Sequence, residues 1–95
     1  MLEKIRLALR FNTKALDSEI SDNIDAALLD LCRVGVDADA EDPKKLADSL
    51  ICKACELYCK WQFDFRGKGE QFRQNYESLR DAMSLCSKYR SGQDE

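Results

Sequence analysis

Apolar residues recur every three or four positions along three long stretches of this sequence, and this rhythm restricts the chain to helices. Residues 17–34 are the clearest example, because one face collects a complete apolar stripe: Ile20, Ile24, Ala27, Leu28 and Leu31. Such a stripe is typical of a helix with one face in the core. Gly35 follows it, and glycine readily takes the left-handed conformation that ends a helix. We therefore predict a helix that ends at Val34.

The helix starts follow from capping residues. We predict a short first helix from Leu2 to Arg10, with Leu2, Ile5 and Leu9 on one side. The second helix is predicted to begin at Asp17 or Ser18, since either side chain suits the N-cap position.

The third helix is predicted to start at Asp42-Pro43, an N-cap residue followed by a proline in the first helical position. We expect it to run without interruption to about Trp61 or Phe63. An acidic loop, residues 36–41, precedes it, and a glycine-containing turn, residues 65–69, follows it. The fourth helix is predicted from about Glu70 to Tyr89, with this inward stripe: Phe72, Tyr76, Leu79, Met83 and Cys86.

These elements predict an all-α fold, a small bundle of one short N-terminal helix and three longer ones. Ninety-five residues suffice for a single domain with a modest core, so we expect one domain over residues 1–95 with a frayed tail at 91–95. No stretch approaches the roughly 20 apolar residues that a bilayer span requires. Charged and apolar residues alternate too closely at the N-terminus for a signal peptide. We expect no membrane association.

The third helix carries an unusually wide apolar arc of roughly 220°, compared with roughly 100° for an ordinary surface helix. Its main stripe is extended by three cysteines on the same side, Cys52, Cys55 and Cys59. Two interpretations remain open. Either the helix is central, with the others packed around it, or one side of it contacts another molecule.

Several other residues point to a subunit interface. Leu29 lies opposite the apolar stripe of its helix, while Leu85 and Tyr89 lie beside the main stripe of the fourth. Charge is also uneven, since residues 17–42 hold nine acids and one base, whereas residues 43–68 hold six bases and three acids. The candidate interface residues are Asp22, Asp25, Leu29, Lys53, Cys55, Cys59, Lys60, Leu85, Tyr89 and Arg90.

No catalytic, cofactor or metal site is predicted. Histidine is absent, which removes the commonest general base and metal ligand. The spacing Cys52-x-x-Cys55-x-x-x-Cys59 places three sulfurs on one helical face, but spreads them about 10 Å along it, so buried, reduced thiols are the favoured interpretation. The segment Arg66-Gly67-Lys68-Gly69 lacks the frame of a phosphate-binding loop. We expect a protein that is not an enzyme.

Sequence-specific DNA binding is also disfavoured. A helix-turn-helix needs a basic recognition helix after a short turn, whereas the connection between the second and third helices is longer and strongly acidic. The sequence pI is near 5.0, which opposes binding to phosphates.

The order of residues resembles the small head–tail connector proteins of long-tailed bacteriophages, also called adaptor or DNA-packaging proteins. The likeness spans about residues 2–90. It is carried by the opening Leu2–Arg10, the run from Asp17 to Leu31, Asp42-Pro43 after the acidic loop, and the closing Phe72-Arg-Gln-Asn-Tyr76 with Met83-Ser-Leu-Cys-Ser-Lys-Tyr89.

This resemblance implies a structural virion component at the head–tail junction, made in the host cytoplasm. Such a protein forms a ring, usually of twelve subunits, that binds beneath the portal protein and extends the DNA channel. The next head-completion or tail protein then docks on it, and DNA passes without sequence-specific binding. Two alternatives stay open: a small helical DNA-associated or regulatory protein, and a metal- or cluster-binding protein.

Overall fold

In the computed structural model, which describes residues 1–90, the apolar stripes fold into helices joined by turns and loops. The α-helices are α1 (Leu2–Ala8), α2 (Asp17–Arg33), α3 (Pro43–Leu46), α4 (Ser49–Gln62) and α5 (Gly69–Leu85). Two short 3-10 turns, Phe65–Gly67 and Ser87–Tyr89, complete the described part. The predicted all-α class is confirmed. The tail predicted at residues 91–95 lies outside the described residues. Within residues 1–90, no helix has both the length and the apolar character that a membrane crossing needs.

Helix α2 packs as its sequence predicts. All five residues of its apolar stripe are buried, and Gly35 closes the helix with a φ of +92°. The predicted start at Asp17 is confirmed, but its predicted capping role was wrong, because Asp17 is the first helical residue and the N-cap residue Leu16 makes no side-chain cap. The carboxylate of Asp17 instead accepts a hydrogen bond from the Arg6 guanidinium at 2.9 Å, which ties α1 to the start of α2. Helix α1 ends at Ala8, and Arg10 beyond it has a φ of +65°.

The third predicted helix is two helices, α3 and α4, and the expected continuity was wrong. Asp42 caps α3 as predicted, accepting a hydrogen bond from the Lys44 amide at 2.9 Å. Asp48 then adopts an extended conformation, and its carboxylate accepts from the amides of Leu50 and Ile51. An aspartate that caps downstream amides competes with the continuing helix, and here the cap prevails.

Helix α4 is the centre of the bundle, because α1, α2 and α5 all pack against it. Five of its residues are buried: Ile51, Ala54, Cys55, Leu57 and Cys59. The wide apolar arc is therefore accounted for by a central position. Cys55 and Cys59 are fully buried within the subunit, so their assignment to an exposed interface is corrected.

The end of the chain also differs from the prediction. Helix α5 ends at Leu85 instead of Tyr89, and Cys86, expected to face inward, is exposed. Tyr76 and Met83 are buried as predicted, with Phe72 and Leu79 partly buried beside the core.

Beyond Cys86 the chain turns back toward the loop after α2. The amide of Asp37 donates to the carbonyl oxygen of Tyr89 at 2.6 Å, and Val36 forms an isolated antiparallel bridge with Arg90. Cys86 is extended, with a ψ of 120°, where α5 ends, and these backbone contacts join the C-terminal turn to the loop after α2.

Candidate assembly surface

The outer face of α2 carries an exposed leucine, Leu29. Leu29 is 71% exposed and stands between two hollows. The first hollow lies toward α4 and α5, and its other lining residues are Ala26, Asp30, Arg33, Tyr58, Trp61 and Arg80. The second lies toward the loop after α2. Because a solvent-exposed leucine gains free energy when it is covered, this ridge is suited to contact another molecule.

The second hollow, called the acidic hollow below, has a volume of about 610 Å³. Its floor includes the buried Leu28, and its acidic lining residues are Asp25, Asp37, Asp39 and Glu41. The same loop is anchored to the core by two buried apolar side chains, Val36 and Ala38. An apolar floor with carboxylates at its edge suits an apolar side chain flanked by cations.

Side-chain contacts hold the loop in this shape. Asp37 forms an ion pair with Lys45 of α3 at 3.0 Å, and this hydrogen bond raises the pKa of Lys45 above its usual value. Asp39 accepts a hydrogen bond from the amide of Glu41 at 2.9 Å. The thiol of Cys32 donates to the carbonyl oxygen of Ala38 at 3.5 Å.

The first hollow contains a polar cluster that the sequence analysis did not identify. The carboxylate of Asp30 accepts hydrogen bonds from the Tyr76 hydroxyl at 2.7 Å, from Arg80 at 3.0 Å and from Arg33 at 2.6 Å. Partial burial acts to raise the pKa of Asp30, but these hydrogen bonds together hold it below its usual value. Burial and the hydrogen bond to Asp30 raise the pKa of Tyr76. The cluster links α2 to α5.

The predicted acidic and basic interface residues occupy different surroundings. Asp22 and Asp25 are exposed on α2. Lys53 is exposed, with its ammonium 3.6 Å from Glu56. Lys60, by contrast, has only 16% of its side chain exposed and pairs with Glu56 at 3.1 Å. Its ammonium also lies over the rings of Phe65 and Phe72. Lys60 therefore stabilises its own subunit.

The structure separates the residues predicted near the C-terminus. Leu85 is 83% exposed. Tyr89 packs partly against the core, and its hydroxyl donates to the carboxylate of Asp48. Arg90 is exposed, although its backbone bridges to Val36. Of the two apolar candidates, Leu85 and Tyr89, it is Leu85 that is available for an external contact.

The five cysteines are free thiols. Burial raises the pKa of both Cys55 and Cys59 to about 12, which leaves them protonated and poorly nucleophilic at neutral pH. Cys52 donates from its thiol to the carbonyl oxygen of Leu46 at 3.0 Å. In the described part of the chain, no group of three or more cysteine, aspartate or glutamate side chains is arranged to hold a metal ion.

A further exposed surface on α1 was missed by the sequence analysis. Leu7 is 62% exposed, and the exposed basic residues Lys4 and Arg10 lie three positions to either side of it. We call these three residues the Leu7 patch. The signal was present in the sequence, because residues 1–16 contain four basic side chains and one acidic side chain.

A family model described as phage connector protein, a structural family, matches residues 1–90. Neither a curated protein nor a solved structure matches the chain. Because the family model covers 90 of the 95 residues, the chain belongs to the phage connector protein family.

Proposed function

We propose that this phage structural protein is a head–tail connector subunit that forms a ring, of twelve copies, beneath the portal protein. The ring extends the DNA channel, and the next head-completion or tail protein docks on it. The subunit is made in the host cytoplasm and ends in the virion at the head–tail junction. The observation that carries this proposal is the family match over residues 1–90.

The exposed surfaces support a role in assembly. Leu29 and Leu85 lie on different helices, and both leave most of their side chains in water. A ring subunit needs two different surfaces for its two neighbours and further surface for the proteins above and below. The exposed carboxylates of Asp22 and Asp25 give the α2 face a negative field, which orients a contact with a basic surface. Acidic side chains that face the channel also let DNA slide without adhering to the wall.

The proposal is tested by mixing the purified chain with the portal protein of the same phage, followed by mass measurement and electron microscopy. We expect a ring of added density on the portal and a mass increase of twelve subunits. A Leu29→Ser variant should bind less well, whereas Ala82→Ser, an exposed change on α5, is the matched control. If the chain does not bind the portal but slows the migration of duplex DNA in a gel at modest salt, the DNA-associated alternative would be favoured over this proposal.

A further inference from the structure

The molecule carries two exposed apolar surfaces of opposite charge near opposite ends of α2. The Leu7 patch lies at the start of this helix, because the neighbouring Arg6 pairs with Asp17. The acidic hollow lies beside the other end, where the loop follows Gly35. At 1.5 Å per residue, Leu29 stands about 18 Å along α2 from Asp17. The two surfaces therefore do not overlap, and each can be occupied while the other is occupied.

The charges of the two surfaces are complementary, and most of them form no ion pair within residues 1–90. Within residues 1–90, Lys4 and Arg10 of the Leu7 patch form no ion pair. In the acidic hollow, only Asp37 pairs with a base in this part of the chain, Lys45. Opposite charges around two apolar centres favour one orientation of contact and reject the like-charged pairing of each surface with itself.

The basic residues of α3 and α4 are a second possible match for the acidic hollow, but two of the four are held by contacts within their own subunit. Lys60 is held by Glu56 and by the aromatic rings below it, and Lys45 is held by Asp37. Lys53 remains exposed, but a carboxylate already lies 3.6 Å from it. The Leu7 patch is the better match for the acidic hollow, because in it an exposed leucine lies between two bases that form no ion pair within residues 1–90.

We propose that the Leu7 patch of one copy docks into the acidic hollow beside Leu29 of a second copy. This inference rests on the proposed ring and names the two surfaces that meet in it. Leu7 enters over the apolar floor at Leu28, with Lys4 and Arg10 directed to the carboxylates at the edge. The contact is head-to-tail, so a pair of subunits still has one unoccupied Leu7 patch and one unoccupied acidic hollow. Further subunits can therefore add in the same way until a ring closes.

The test reverses the charges on each side and measures self-association by sedimentation. We expect Lys4→Glu/Arg10→Glu, and separately Asp25→Lys/Glu41→Lys, to raise the dissociation constant about tenfold or more, since like charges then face each other. Combining all four substitutions in one chain should restore association. Lys53→Glu/Lys68→Glu is the matched control for the Lys4→Glu/Arg10→Glu variant, because it lowers the net charge by the same amount at exposed positions outside the Leu7 patch and the acidic hollow. Circular dichroism verifies that each variant is folded.

Several outcomes would overturn the inference. One is an equal loss of association in the Lys53/Lys68 control, and another is a failure of the four-substitution chain to recover. Association that strengthens steadily with salt would also contradict it, because the Debye length falls to about 3 Å at 1 M and ion pairs weaken. So would a chain that stays monomeric up to about 1 mM.

The ring proposal is tested separately by microscopy with the portal. If either charge-reversed variant still forms rings on the portal, the proposed function is supported, and the proposed contact between the Leu7 patch and the acidic hollow is contradicted. The opposite result is also possible: the unmodified chain forms no ring on the portal, but it self-associates in a salt-sensitive way and the four-substitution chain recovers that association. This result would contradict the proposed ring and support the proposed contact between the two surfaces.

Discussion

The hydroxyl of Tyr89 donates to both carboxylate oxygens of Asp48, at 3.1 and 3.2 Å, so the end of the described chain is tied to the cap of its central helix. The same carboxylate accepts from two amides at the start of α4. One aspartate thus breaks the third predicted helix and anchors the C-terminal turn. Burial and this hydrogen bond raise the pKa of Tyr89.

Replacing Tyr89 with phenylalanine removes only this hydrogen bond. We expect the free energy of unfolding to fall by about 1 kcal/mol, and the melting temperature to fall by about 4–8 °C for a domain of this size. Thermal unfolding followed by circular dichroism measures the change. Asp42→Ala is a useful comparison, because it removes the cap of the short α3 and leaves the Tyr89 contact intact. A Tyr89→Phe protein as stable as the parent would show that the hydroxyl contributes nothing to stability.

Substitutions of Leu85 and Tyr89, both candidate interface residues, should have different effects on the stability of the subunit. We expect Leu85→Ser to change the free energy of unfolding by less than about 0.5 kcal/mol, since the side chain is 83% exposed. Tyr89→Ser should destabilise the subunit, because it removes a partly buried ring as well as the hydroxyl contact. If Leu85 contacts the portal, Leu85→Ser should fold normally and bind the portal less well. Equal binding by Leu85→Ser and the parent would remove Leu85 from the interface.

The Asp30 cluster should make stability depend on pH at the acidic end. Because hydrogen bonds hold the pKa of Asp30 below its unfolded value of about 3.9, its ionised form stabilises the fold above that pH. This contribution is lost as the pH falls through the lowered pKa, when the carboxylate is protonated in the folded state. We expect Asp30→Asn to cost about 2 kcal/mol at pH 7 and less near pH 3. Denaturant titrations of both proteins at the two pH values measure this, and a cost that grows in acid would contradict the assignment.

The cysteines should divide by reactivity in the native protein. Cys32 and Cys86 are exposed and should react promptly with a thiol reagent, whereas Cys55 and Cys59 are buried and should react only after unfolding. We also expect protein purified without oxygen to be reduced and free of metal. Mass spectrometry after timed labelling identifies the modified residues, and elemental analysis detects bound metal. One zinc or iron per chain would refute the packing role of these thiols.

Much of the helical framework could be predicted from local sequence. The apolar stripe of α2, the stop at Gly35 and the start at Asp42-Pro43 each depend on residues within a turn or two of one another. Periodicity and capping act over that range, so they can be recognised without knowledge of the fold. The exposure of Leu29 followed from the same periodicity, because the residue lies opposite the stripe.

The tertiary structure decided where distant segments meet. Tyr76 and Asp30 are 46 positions apart, and Tyr89 and Asp48 are 41 apart, so no local pattern marks either pair. The wide apolar arc of α4 allowed either a central helix or an interface, and only packing on several sides shows that the helix is central. Likewise, a lysine's position along the chain does not determine its contacts: Lys60 is engaged by its own subunit, while Lys4 projects into solvent. The physical reason is that burial and hydrogen bonding between helices depend on their relative placement, which arises only when the whole chain packs.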